Sequence, residues 1–459
     1  MALRNPGNLP QGNGANSIRL SKFNRPGRCG LGGFEGLRPQ TPAEVFSHMP
    51  PESLRCKECQ TSYPLAALYV CDRCFGPLEV SYAPRDGADV NELKRRIQTG
   101  PYSLWRYSDF LPVQAPRDGL LPAGFTPLLK VDRLAQRLGL RELWIKNDAA
   151  NPTHSFKDRV VSVALARARE LGFGTVACAS TGNLANAVAA HAAAAGLESF
   201  VFIPWDLEEQ KVLATGVYGT NLVSVRGTYD DVNRLCTELS AEHDWAFVNI
   251  NLRPYYSQGS KTLAFETAEQ LDFTLPDRVV CPVASGSLFT KIARGFEEWL
   301  ELGLLGGSLP VFNGAQAAGC SPVATAFEQG RDFCQPVKPE TIAKSLAIGN
   351  PADGPYALDL ARRTGGSVES VTDQEIRQAI RLLAETTGIF TEAAGGVTIA
   401  VLTKLAERGE IDPEERVVAY LTGEGLKTLD CARGTFEAWQ IEPTVGSFED
   451  ARERVAAVV

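Results

Sequence analysis

Six short apolar runs, each closed by turn residues, constrain this chain more than any other feature of its sequence. They are TVACAS (175–180), FVFIP (200–204), NLVSVRG (221–227), RVVCPVASG (278–286), LPVFNGAQA (309–317) and ERVVAYLTGEG (415–425). Runs this short and this rich in Val, Ile or Phe read as buried strands. Helical stretches lie between or beside them: DRVVSVALARARELG, NLANAVAAHAAAAG, DVNRLCTELSAEH, KTLAFETAEQL, LFTKIARGFEEWLELG and DQEIRQAIRLLAETTG. Several of these end at Gly, which suits the position just past a helix. A parallel strand pair needs a long return, and a helix supplies it. The predicted fold class is therefore α/β with parallel sheets. A length of 459 residues allows two or three domains.

The ends and the charge balance narrow the reading. Residues 1–50 are rich in Gly, Pro and Asn, and little there can form a core, so a flexible N-terminal extension is expected. The start, MALRNPGNLPQ, lacks the apolar core of a secretory signal. Eleven cysteines along such a chain then indicate a reducing compartment, and the expected location is the cytoplasm. No apolar run approaches the ~18 residues of a membrane span. With 46 basic and 54 acidic residues, nothing recommends a nucleic-acid partner. NELKRRIQ reads as a short helix, and PYSLWRYSDFLP as an aromatic segment able to pack on a core.

Four cysteines form a separate pattern over residues 51–84. Cys56-Lys57-Glu58-Cys59 is followed after eleven residues by Cys71-Asp72-Arg73-Cys74. Two such knuckles close a tetrahedral four-thiolate shell, and Gly76 lets the backbone turn beneath it. The pattern predicts a zinc-ribbon-like module with one structural zinc, since four thiolates leave no open position for substrate. Cys29, Cys178, Cys236, Cys281, Cys320, Cys334 and Cys431 sit mostly in apolar contexts and read as small hydrophobes.

The segment Asn151-Pro152-Thr153-His154-Ser155-Phe156-Lys157-Asp158-Arg159 carries the most chemistry. Asn-Pro marks a turn, and Ser155 is placed to cap a helix starting near Lys157. A lysine on that first turn, beside Phe156, sits at a positive helix end, a setting that suits imine chemistry. Three further loops each follow a predicted strand. Ser180-Thr181-Gly182-Asn183 opens a helix whose N–H groups suit a carboxylate. Ala284-Ser285-Gly286-Ser287-Leu288 is a small-residue phosphate cradle that matches neither the Walker A nor the dinucleotide pattern. Leu421-Thr422-Gly423-Glu424-Gly425 offers the neutral hydroxyl of Thr422. Any one of these loops alone would be an ordinary turn. Together they fit an imine-forming cofactor with a phosphate handle.

The segments NPTHSFKDR, STGNLANAV, NLRPYYSQGSKTLAFE, PVASGS, KSLAIGNPADG, TEAAGGVT and LTGEGLKTLD span about 100–431, and together they resemble the threonine synthases. That family belongs to the fold-type-II pyridoxal-phosphate enzymes, which include the tryptophan synthase β-subunit. The cysteine module with CFGPLEV resembles one branch of it. The resemblance implies a two-lobe enzyme of amino-acid biosynthesis, a lyase. A large pyridoxal-phosphate-binding lobe would cover 85–175 and 251–459, and a small mobile lobe 176–250. It implies that Lys157 bonds the cofactor's carbonyl and Asn183 contacts its phenolic oxygen. Ala284, Ser285, Gly286, Ser287 and Leu288 would hold its phosphate, and Thr422 would face its ring nitrogen. A homodimer is the expected assembly. Many members carry His where this chain has Glu424, a departure that bears on substrate choice more than on the cofactor.

A phosphorylated amino acid such as O-phospho-L-homoserine needs two anion sites. Ser180, Thr181 and Gly182 suit its carboxylate. Asn249-Ile250-Asn251-Leu252-Arg253 reads as a loop, with Arg253 able to grip phosphate and Asn249 and Asn251 adding donors. Lys261 and Ser155 are further candidates. His48, His191 and His243 have no paired carboxylate in sequence, and His191 reads as packing in an alanine-rich helix. The expected reaction is conversion of O-phospho-L-homoserine and water to L-threonine and phosphate. The rivals are replacement or elimination on O-phosphoserine, serine or threonine, and a non-catalytic paralogue.

Overall fold

Three sheets carry the architecture of the computed structural model, which describes residues 51–83, 89–119, 121–180, 182–207 and 209–456. The extension read over 1–50, with Cys29 and His48, and the candidate Thr181 lie outside the described residues. The first sheet is small and antiparallel. Its strands β1 (Pro51–Cys56), β2 (Ser62–Tyr63) and β3 (Leu78–Tyr82) run in the order β2-β1-β3. Leu54, Cys56, Leu78 and Val80 turn inward and join an apolar cluster with Val161, Leu165, Val188 and Tyr255, so the cysteine-bearing segment is built onto the body of the protein.

Next in the chain come β4 (Leu128–Lys130) and β5 (Glu142–Asn147). A four-stranded parallel sheet follows, formed by β6 (Thr175–Ala179), β7 (Glu198–Pro204), β8 (Asn221–Val225) and the short β9 (Ala246–Phe247), in the order β8-β7-β6-β9. The remaining strands are β10 (Arg278–Pro282), β11 (Val311–Ala317), β12 (Val368–Val371) and β13 (Arg416–Leu421). They join β5 and β4 in a six-stranded sheet ordered β12-β11-β10-β13-β5-β4, parallel except for the edge strand β4. All six predicted runs are strands. Five of them are nearly continuously buried, as expected of strands covered by helices on both faces, whereas β8, at the edge of its sheet, has no buried residue.

Sequence periodicity passes over β5 because ELWIKN ends in polar residues. Lys146 is nevertheless fully buried. Its ammonium lies 2.8 Å from Glu266 and donates to the carbonyl of Thr126 at 2.6 Å. Arg159 joins the same group, with Asp148 at 2.6 Å and Glu266 beside it. Removing one partner from such a buried set costs about 3–5 kcal/mol, since a charge is left without its counterpart. The cluster fastens the helix Lys157–Glu170 to the end of β5 and to the helix Lys261–Gln270.

The sheet order positions the site. In parallel sheets, ligand-binding loops gather at the carboxyl ends of strands. Strands β10, β13 and β5 are neighbours, so the 284–288, 422–425 and 148–157 segments emerge side by side. The 180–183 loop emerges from β6 in the other parallel sheet and starts the helix Asn183–Ala195. That helix ends at Gly196 with φ 65°, the left-handed C-terminal conformation its sequence predicts.

Candidate active site

Lys157 is the first residue of its helix, and the loop before it is zipped to the loop after β13. Phe156 N–H donates to the Thr422 carbonyl at 2.9 Å, and Glu424 N–H to that of His154 at 3.1 Å. Ser155 pairs with Gly423 as an isolated antiparallel bridge. The Lys157 amine donates to the Tyr256 hydroxyl at 2.9 Å and lies 4.6 Å from the Phe156 ring centre. Ser155 does not cap the helix as its position suggests. Its backbone is committed to Gly423, and its hydroxyl oxygen is buried with no partner.

Glu392, which the sequence reading assigned no role, joins two of the candidate residues. Asn183 Nδ2 donates to Glu392 Oε2 at 2.8 Å, and Thr422 Oγ1 donates to Oε1 at 3.1 Å. The carboxylate is buried, and a Cβ at Gly423 would lie 2.6 Å from it, so a side chain there would have to displace Glu392. Lys427 approaches the same region and donates to Asn186 Oδ1 at 3.0 Å. Burial pushes its ammonium pKa down, against the pull of Glu392, Asp158 and Glu424. Glu424 itself turns to its own loop and accepts from Leu426 N–H at 2.8 Å, leaving Thr422 as the neutral group.

The 284–288 turn has the form of an anion cradle. Gly286 has φ 99°, and a Cβ there would fall 2.7 Å from the Asp353 carbonyl oxygen. The helix Ser287–Glu301 then begins without a side-chain cap, so no side chain competes for its first N–H groups. Ala284 and Leu288 pack on the apolar clusters to either side of the sheet. Asp353 closes the cradle wall: its N–H donates to the Ser285 carbonyl at 2.8 Å, and its carboxylate meets Arg253 Nη2 at 2.7 Å.

Arg253 is not in a loop. It starts the helix Arg253–Gln258, because Pro254 is pre-set for a first turn. This helix also presents Tyr256 to Lys157. Arg253, Ser287, Thr290, Lys291, Glu79 and Asp353 share one small polar pocket beside the cradle. Ser180 Oγ accepts from the N–H groups of Gly182 (3.1 Å) and Ala185 (3.0 Å), fixing the turn before Asn183. Asn249 Nδ2 reaches the Ala179 carbonyl at 3.4 Å, while its Oδ1 is buried without a partner.

Two expected substrate contacts do not join this group. Asn251 spends its amide on its own turn, accepting from Phe247 N–H at 2.8 Å and donating to the Trp245 carbonyl at 3.0 Å. Lys261 is completely buried; it is paired with Glu298 at 2.9 Å and donates to the Phe110 carbonyl at 3.0 Å. An ammonium closed off in this way is not placed for a substrate phosphate. His191 also departs from its reading as packing, since its Nε2 meets a carboxylate, Asp158.

Comparison with known proteins decides the family. The model of the family described as pyridoxal-phosphate dependent enzyme matches residues 120–423. Threonine synthase of Methanosarcina acetivorans is 39% identical over 395 residues, covering 85% of this chain and 95% of the relative. Threonine synthase of Methanocaldococcus jannaschii is 40% identical over 394 residues, covering 84% and 96%. The chain belongs to the threonine synthase family of pyridoxal-phosphate-dependent enzymes. Among solved structures, the processed form of threonine deaminase isoform 2 from Solanum lycopersicum aligns with a TM-score of 0.57 at 19% identity, over 82% of this chain and 90% of that one. A fungal L-serine ammonia-lyase from Rhizomucor miehei gives 0.57 at 22%, over 68% and 98%. These two establish a shared fold.

The residues of this threonine synthase-family chain fit pyridoxal phosphate. An uncapped helix start behind a glycine too crowded for a Cβ suits its phosphate, and the amine of Lys157 suits its carbonyl. Two buried polar atoms without partners, Ser155 Oγ and Asn249 Oδ1, belong to candidate contact residues. Glu392, Tyr256 and Asp353 escaped the sequence reading because each acts through a partner remote in the chain. TEAAGG flags the segment of Glu392 but gives no geometry.

Proposed function

We propose that the chain converts O-phospho-L-homoserine and water to L-threonine and phosphate. The observation that carries this is the joining of the Lys157 loop, Thr422 and Asn183 to one another, with the cradle and Arg253 joined through Asp353. Lys157 would hold the cofactor's carbonyl, Asn183 its phenolic oxygen, the 284–288 turn its phosphate and Thr422 its ring nitrogen. Bound there, pyridoxal phosphate supplies an electrophilic carbonyl and a ring that draws charge from an attached amino acid.

The chain's own groups do the rest. The Lys157 amine would take the Cα proton and pass it to the bound cofactor, then, free again, take a Cβ proton and deliver it to Cγ as phosphate leaves, with Tyr256 keeping the amine aimed. The N-terminal turn at Ser180, Gly182 and Asn183 holds the substrate carboxylate. Arg253 touches Asp353 through one nitrogen, leaving further donors of its fork for the phosphate that departs from Cγ, and Asn249 adds an amide. Water adds at Cβ. Opening of the 176–250 unit against the rest is part of this reading. Asn183–Glu392 and Asn186–Lys427 are side-chain ties that such opening would break.

We also infer that Cys56, Cys59, Cys71 and Cys74 hold one structural zinc. Their ligand atoms lie within 4.8 Å of one another, with Cys56–Cys74 at 3.4 Å and Cys59–Cys71 at 3.6 Å. A tetrahedron of ~2.3 Å zinc–sulfur bonds has edges of about 3.8 Å, close to these spacings. A homodimer, taken from the family resemblance, and a cytoplasmic location, taken from the cysteine usage, complete the proposal.

Purified protein tests the reaction: visible imine absorbance, then phosphate and threonine formation on adding O-phospho-L-homoserine. Absorbance without phosphate release from this substrate would move the assignment to another amino acid.

A further inference from the structure

The two residues inside the first cysteine knuckle reach the wall of the phosphate cradle. Lys57 places its ammonium 3.3 Å from the ring centre of Tyr356 and 3.3 Å from Glu79. Glu58 accepts from the Tyr356 hydroxyl. Glu79 in turn pairs at 3.0 Å with Lys291, one turn into the helix that starts at the cradle. Tyr356 lies in the helix Gly354–Arg363, which begins directly after Asp353. Asp353 is the residue that holds the Ser285 carbonyl, crowds Gly286 and pairs with Arg253.

Closure of the two knuckles aims these side chains. A Cβ at Gly76, behind the second knuckle, would lie 2.7 Å from Glu58 Cγ and 2.8 Å from Cys56 Sγ. The second knuckle therefore packs directly on the Glu58 stem, and separating the knuckles releases it. The same module grips the helix that carries Arg253 and Tyr256. Tyr255 donates to the Ala66 carbonyl at 3.0 Å, and Tyr82 donates to Gln258 at 2.9 Å.

We propose that the metal-bound cysteine module is a strut for the cofactor phosphate site, so that zinc and pyridoxal phosphate each strengthen binding of the other. Zinc in the four-thiolate shell fixes Lys57 and Glu58. These fix Tyr356 and Glu79, and through them Asp353, the 285–286 turn and Lys291. The coupling must be reciprocal, since both ligands bias the same arrangement. This inference rests on the zinc reading above and not on the identity of the amino-acid substrate.

The test uses the full-length holoenzyme and reads binding rather than turnover. Zinc is withdrawn with a chelator while pyridoxal phosphate affinity is followed by its absorbance and fluorescence. Zinc retention is measured with and without saturating cofactor. Loss of two polar contacts to the wall predicts cofactor binding about tenfold weaker without zinc, and zinc retained about tenfold more tightly with cofactor. The double variant Lys57→Ala/Glu58→Ala keeps all four thiolates. It should bind one zinc, hold the cofactor about tenfold more weakly than wild type, and show no further loss on chelation. That variant decides the matter even if zinc-free wild type unfolds. Wild-type cofactor affinity in the double variant would overturn the strut. Folded holoenzyme with four titratable thiols and no metal would overturn the zinc reading beneath it. Failure to turn over O-phospho-L-homoserine would change neither result.

Discussion

His191 Nε2 lies 2.9 Å from Asp158 Oδ1, and both side chains are sealed from solvent. The contact joins the helix that begins at Asn183 to the first turn of the helix that begins at Lys157. Asp158 also accepts from Thr153 N–H at 2.8 Å, so one carboxylate shapes the lysine loop and anchors the neighbouring helix. His191→Phe leaves that buried acceptor short of a partner, which costs about 1–3 kcal/mol. A melting temperature several degrees lower, with imine absorbance retained, is the expected result. An unchanged melting temperature would mean that Thr153 alone satisfies Asp158.

Lys157→Ala should abolish both imine absorbance and turnover while the fold persists, because the Tyr256 hydroxyl loses only one partner. Circular dichroism and an absorbance spectrum of the same sample check the two halves. Wild-type turnover by this variant would sink the assignment of the lysine.

On the proposed reading, Arg253→Ala removes a charge-assisted contact for the substrate phosphate. Such bonds are worth roughly 1.5–3 kcal/mol, or about one to two orders of magnitude in kcat/KM. Arg253→Lys should recover part, since an ammonium lacks the planar fork. Because Arg253 also holds Asp353 at 2.7 Å, a modest loss of cofactor affinity is expected alongside. Full catalytic efficiency in Arg253→Ala would place the phosphate site elsewhere.

Acid should weaken the fold through Glu266. Burial opposes its ionisation, but the Arg159 guanidinium and Lys146 ammonium outweigh this and hold the carboxyl at about 2, against an ordinary 4.5. The folded carboxyl binds its proton more weakly than the unfolded one. Its contribution is therefore complete above pH 4.5 and is lost as pH falls toward 2. Urea midpoints measured across that interval should decline for the wild type and decline less steeply for Glu266→Gln. Parallel slopes would rule Glu266 out as the source.

Six of the parallel strands among the described residues were legible because each is an apolar run ended by a turn, whereas β5, β9 and β12 were not read. The aromatic stretch near 101–112 also packs as read: Leu104, Tyr107 and Phe110 are buried, with Phe110 5.7 Å from Trp299. What stayed hidden was pairing at long range. Nothing in ELWIKN announces that Lys146 meets a carboxylate 120 positions later, and the run was not among the predicted strands. Lys261 failed in the opposite sense. It sits in a segment that resembles the family's site, but its charge answers Glu298 across two packed helices. Local chemistry predicts which groups are available for a ligand, and only tertiary neighbours decide which are already spoken for.

The sealed cluster of Arg159, Asp148, Glu266 and Lys146 bears on how a sequence like this can drift. Replacing any one of the four strands a charge where water cannot reach it. Intermediates with three of the four are therefore the unstable ones, and descent must pass on the set together or exchange it together. Asp148 and Arg159 bracket Lys157 in the chain. The stretch around the lysine is thus constrained from two sides at once, by the bonds it makes to the loop after β13 and by an inheritance of charges beneath it.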